Sequence, residues 1–111
     1  MRCIADMRYI LPVCLLALSA RAGDGRIADA IYRAEGAQHA RVPYGILSVK
    51  VRNADEARRV CLNTIRDARE HWVAAGRPGN FIDFLADIYC PAQVDPAGNR
   101  HWKHNVDFFL K

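Results

Sequence analysis

Ala57, Val60, Cys61, Thr64, Ile65, Ala68, Trp72 and Ala75 fall on one stripe of a 3.6-residue period that runs for about six turns. A helix that long with a single apolar face must be covered by other elements. Its ends are marked in the sequence. Asn53, with Glu56 three positions on, has the pattern of a capped helix start. Gly76 supplies a left-handed stop, and Arg77, Pro78 and Gly79 form the turn that follows.

The covering elements are shorter. Ile27, Ala30, Ile31 and Ala34 share one face of a helix over 26–35, which Gly36 ends. Residues 36–45 contain Gly36, Pro43 and Gly45 without a period and are expected to be a loop. Ile46, Val49 and Val51 lie in a β-favouring stretch that fits either a strand or an extended arm. A third helix is predicted from Asn80, with Phe81, Phe84, Leu85 and Ile88 inward and Pro91 as its end. Residues 92–99 read as a polar loop, and Trp102, Val106, Phe109 and Leu110 as a last short helix. With 111 residues there is room for one domain, mainly α, and no internal repeat appears.

The first 22 residues have a different character. Arg2 and Arg8 precede an apolar run from Tyr9 to Ala20, and Ala20, Arg21 and Ala22 have the small-any-small pattern of a signal-peptidase site. The run is about a dozen residues, short of the roughly 20 a membrane span requires, and Pro12 interrupts it. Val13 before Cys14 is too large for a lipidation site. The expectation is export to the periplasm or cell exterior after cleavage near Ala22, without a stable membrane anchor. Removing Arg2, Arg8, Arg21 and Asp6 lowers the formal charge from +4 to +2. Such a weak, interleaved positive charge argues against a nucleic-acid partner.

Of the four cysteines, Cys61 and Cys90 remain after the leader, and an even pair in an exported chain predicts one disulfide. By helical rise, Cys61 sits about 21 Å before the end of its helix and Cys90 about 14 Å after the start of the next, depths an antiparallel hairpin brings near each other. Such a staple would close a loop of about 30 residues and add roughly 3 kcal/mol.

Glu35 ends the first helix of the expected mature chain, beside Ile31, Tyr32 and Ala34 and before a glycine-containing loop. In apolar surroundings a carboxyl group loses hydration, holds its proton to higher pH and becomes a general acid, as a glycosidic oxygen requires. On an outer helix face, the same residue is simply a solvated glutamate.

The run from Ile27 to Gly36 (IADAIYRAEG), followed by Tyr44, Gly45, Ile46, Leu47 and Ser48, resembles the helix-Glu-loop-Gly-apolar arrangement of the lysozyme-like superfamily. It is most similar to soluble lytic transglycosylases and small exported muralytic proteins. The resemblance implies a small lysozyme-like helical domain over 23–111, with peptidoglycan glycan strands as partner and no cofactor. It makes Glu35 the general acid and base acting on the MurNAc-GlcNAc β-1,4 bond. Tyr44, Gly45, Ile46, Leu47 and Ser48 become the cleft wall, Asn63 matches an asparagine common in the family, and Tyr89 a cleft tyrosine. Gly36 where the family usually has serine, and the shortened segment before Gly45, point to the alternative: a catalytically inactive module that binds glycan or an envelope protein.

Other side chains have ordinary roles. Asp55 and Glu56 complement the dipole in the first turn of the central helix. Trp72 and Trp102 fall on apolar stripes and read as core, whereas Tyr32 and Tyr44 are placed to stack on sugar. His101 and His104 read as solvated, so no metal site is expected. Arg58, Arg59, Arg66 and Arg69 form a positive flank on the central helix, attractive to a polymer with acidic peptide stems.

Overall fold

The computed structural model describes residues 22–45 and 50–111. Residues 1–21 of the predicted leader, and Ile46 to Val49 of the β-favouring stretch, lie outside the described residues, while Ala22, its last residue, begins α1. The described residues form a mainly helical domain, with α1 at Ala22–Ala34, α2 at Ala54–Ala74, α3 at Phe81–Tyr89 and α4 at Pro96–Leu110. Two short 3₁₀ turns, Ala37–His39 and Pro43–Gly45, lie between α1 and α2. There is no strand among the described residues.

Each helix start after α1 has the side-chain cap its sequence supplies. The Asn53 side chain accepts from the Glu56 backbone N–H at 2.8 Å, and Asn80 accepts from Ile82 N–H at 2.7 Å. At the end of α2, the Arg77 N–H donates to the Trp72 carbonyl and the Gly76 N–H to that of Val73. Gly76 has φ 89°, so the two bonds close a Schellman ending.

The last helix begins earlier than the apolar pattern predicts. Asp95 caps it by accepting from the Gly98 N–H at 2.9 Å, and Pro96 occupies the first turn. Residues 96–99 are therefore helix, not loop. Asn99, almost fully buried, donates to the Cys90 carbonyl at 2.8 Å and to Asp87 at 3.1 Å, tying the end of α3 to the start of α4. Phe109, expected inward, is exposed, because Trp102 and Val106 take the buried face of α4.

The core joins Ile27, Ala28, Ala30 and Ile31 of α1 to Ala57, Cys61, Ile65 and Ala68 of α2, Leu85, Ala86 and Tyr89 of α3, and Trp102 and Val106 of α4. A partly buried ion pair ties α1 to α2 beside it. Asp24 of α1 accepts two bonds from Arg69 of α2, at 2.7 and 3.1 Å, and the guanidinium lies 4.2 Å from the centre of the Phe81 ring.

The expected Cys61–Cys90 bridge does not form. Cys61 is a free, fully buried thiol, and no disulfide joins two described residues. Tyr89 takes the place facing it, its hydroxyl donating to the Cys61 sulfur at 3.3 Å. Cys90 is the residue that leaves the helix, at φ −150° and ψ 80°, and its sulfur turns toward Gly98 in the first turn of α4. Depth along two helix axes was compatible with a bridge; direction around the axis was not.

Candidate functional site

Helix α1 ends where the sequence says it should. The Glu35 N–H still donates to the Ile31 carbonyl at 3.0 Å, and Gly36 at φ 108° turns the chain away. Glu35 is half-buried. The chain returns to it nine residues on, in the turn Pro43–Gly45.

Tyr44 and Gly45 are both left-handed, with φ 60° and 66°. Glycine adopts that conformation freely, whereas for tyrosine it is strained and persists only where the surroundings enforce it. The surroundings at Gly45 explain the residue type. A Cβ there would fall 2.6 Å from Glu35 Oε2 and 2.8 Å from its carboxyl carbon. Glycine lets the loop backbone lie against that carboxyl group without displacing it, and at φ 66° without strain.

Tyr44 is buried, with its ring 5.1 Å from that of half-buried Tyr32 and tilted 43° to it. Its hydroxyl is 3.4 Å from Nη1 of Arg58, and the same nitrogen donates to Asp29 of α1 at 2.5 Å. These bonds, Tyr44 first and Asp29 second, raise the Arg58 pKa and keep its charge permanent.

Beneath lies an apolar floor. Burial pushes the Cys61 thiol up to about 12 and the Tyr89 phenol well above its ordinary value. Glu35 is near enough to add to both shifts. Both groups are therefore neutral at physiological pH, and Cys61 also senses the charges of Arg58 and Asp29. Tyr89 stacks on Trp102, ring centres 5.1 Å apart and 20° between planes, which anchors the floor to α4.

Of the residues singled out in the sequence, Glu35 and Gly45 are brought together, with Tyr44 behind them. Ile46, Leu47 and Ser48 lie outside the described residues. Tyr89 is 2% exposed and so is floor, not an open cleft wall. Asn63 is half-buried two positions after Cys61, roughly 200° around α2 from the core stripe. Asp55 and Glu56 occupy the first turn of α2, with Glu56 paired to Arg52 at 2.9 Å. Trp102 is core, as its stripe predicts, whereas Trp72 is only partly buried against the core and donates to the Pro78 carbonyl. His101 and His104 are exposed, and no described group of His, Cys, Asp and Glu is arranged to hold a metal.

Arg58 and Asp29 had no pairing signal in the sequence. They are 29 positions apart, and each reads alone as a solvated charge. A separate groove of about 340 Å³ opens at His71, Phe84, Asp87 and Ile88, and includes none of the residues around Glu35. The chain matches no known family, no curated protein and no solved structure.

Proposed function

We propose that this protein is an exported, lysozyme-like peptidoglycan-cleaving enzyme, a lytic transglycosylase or muramidase, with Glu35 as its general acid and base. The observation that carries this reading is the approach of Gly45 to the Glu35 carboxyl group. A strained turn that presses backbone against one acidic side chain is typical of places where geometry serves chemistry.

The chemistry uses one carboxyl group. Glu35, protonated, donates to the glycosidic oxygen as the bond from that oxygen to muramoyl C1 breaks. The resulting carboxylate then takes the proton of the muramoyl 6-hydroxyl, whose oxygen bonds to C1 and closes a 1,6-anhydro ring. Hydrolysis with two acids requires a second carboxyl group across the bond. Asp29, the other carboxylate of α1's last turns, is already engaged by Arg58, which favours the anhydro product.

Digestion of purified sacculi with residues 23–111 tests the reading. Release of anhydromuropeptides, lost in Glu35→Gln while the helical circular-dichroism signal persists, is the expected result. A Glu35→Gln protein that releases as much product as wild type removes the assignment.

The burial of Tyr44 and Tyr89 leaves fewer aromatic faces for sugar and favours a second reading, a non-enzymatic module that binds glycan strands or an envelope protein. It predicts that wild type sediments with sacculi yet releases nothing.

A further inference from the structure

The Arg58 guanidinium meets three segments at once. Nη1 reaches Asp29 on α1 and the Tyr44 hydroxyl in the loop, while Arg58 itself belongs to α2. Nη2 lies beside Gly25 of α1, 3.7 Å from where a Cβ would be. Gly25 and Asp29 are one helical turn apart, so together they form a shallow seat for the planar group.

The stability value of these contacts is small. The Arg58 and Asp29 side chains are 37% and 63% exposed, and pairs so open to water add little to folding. Their position is less ordinary. Tyr44 holds a backbone conformation that an L residue avoids, and its neighbour Gly45 is the residue laid against Glu35. The ring is already packed on Tyr32; the hydroxyl is the atom that Arg58 reaches.

We propose that Arg58 is a positioning residue for the Glu35 site. By binding the Asp29 carboxylate and the Tyr44 hydroxyl together, it fixes the left-handed Tyr44–Gly45 turn at the height that brings Gly45 against the Glu35 carboxyl group. The role assigned to Arg58 is to hold the turn rather than to transfer a proton. Both acceptors share Nη1 while Nη2 rests against Gly25, so it is the planar group seated on α1 that aims the shared nitrogen, a seat that the compact ammonium of lysine does not fill.

The inference rests on the lytic reading for its catalytic consequence but not for its structural one, and two arms separate these. In the first, Arg58→Met, Arg58→Lys and Tyr44→Phe are assayed on sacculi. Arg58→Met and Tyr44→Phe are expected to lower kcat at least tenfold with KM within twofold, and Arg58→Lys to recover only part of the loss.

In the second arm, amide spectra of ¹⁵N-labelled protein are compared, with the Glu35 side-chain carboxyl carbon followed in ¹³C-labelled samples. Arg58→Met and Tyr44→Phe are expected to shift Gly45 and Glu35 while the α3 and α4 amides stay in place, which also reports that the variants are folded. If wild type releases nothing from sacculi, the lytic reading fails and the spectra alone decide the positioning role. Unchanged Gly45 and Glu35 signals in a folded Arg58→Met protein overturn it, as does wild-type kcat in that variant.

Discussion

The half of the molecule built from the end of α2, α3 and the start of α4 is held by local devices, while the half around the end of α1 is held by contacts between distant segments. In the first half, Asn80, Asp95 and Gly76 each satisfy helix ends within a few residues, and Leu85, Ala86 and Val106 fill the space between. In the second, a left-handed tyrosine, a glycine with no room for a side chain and a guanidinium shared by Asp29 and Tyr44 keep the loop in place. Stability and geometry are thus supplied by different parts of a small chain. A site that must hold one carboxyl group in a fixed position can be strained if the rest of the fold carries the free energy.

Leu85→Ala attacks the first half and should have the largest effect on stability. A fully buried leucine truncated to alanine loses about 2–5 kcal/mol, measurable by urea denaturation. In the fraction that remains folded, the Gly45 and Glu35 signals are expected to match wild type; if they move as far as those of α3, the two halves are not separable.

Gly45→Ala attacks the second half. A left-handed alanine costs about 1–2 kcal/mol, and its methyl group must displace the Glu35 carboxyl group. Sacculus cleavage should disappear as fully as in Glu35→Gln while denaturation shifts only modestly. An active Gly45→Ala protein would show that the close approach has no functional weight.

Alkaline pH probes the floor between the two halves, with the smallest effect. The unfolded Cys61 thiol loses its proton near 9, whereas burial keeps it protonated to about 12 in the folded state. Above pH 9 the unfolded chain therefore binds fewer protons, and stability falls as pH rises toward 12. Tyr89, also raised by burial, adds a loss of the same sign above its ordinary value of 10.0. Thermal unfolding between pH 8 and 10 should show the decline, and Cys61→Ala should flatten its early part. An equal slope in that variant would place the titrating group elsewhere.

The local devices were the legible ones. Asn53, Gly76 and Asn80 sit where a cap or stop belongs, because capping depends on residues three or four apart. The start of α4 was missed for a related reason: its first turn holds no apolar residue of the stripe, so only Asp95 before Pro96 announced it. At the site, the resemblance set Gly45 on a cleft wall opposite Glu35, whereas its backbone lies directly against the Glu35 carboxyl group. It also made Tyr89 a wall where burial makes it floor. The Arg58 contacts and the failed Cys61–Cys90 pairing share one cause. Both depend on how far each helix is rotated about its own axis, and a stripe of apolar residues defines that angle only loosely.

On the buried faces of α1 and α2, the small Ala28, Ala30, Ala57 and Ala68 stand beside the larger Ile27, Ile31 and Ile65. Apolar contacts of this kind carry little direction. The Asp24–Arg69 clasp adds direction: one buried carboxylate held by two bonds fixes how far α1 is drawn along α2, as a pin fixes a ruler against its slide. Eleven residues beyond that pin stands Glu35, so a charge pair at one end of α1 sets where the acid at the other end comes to rest.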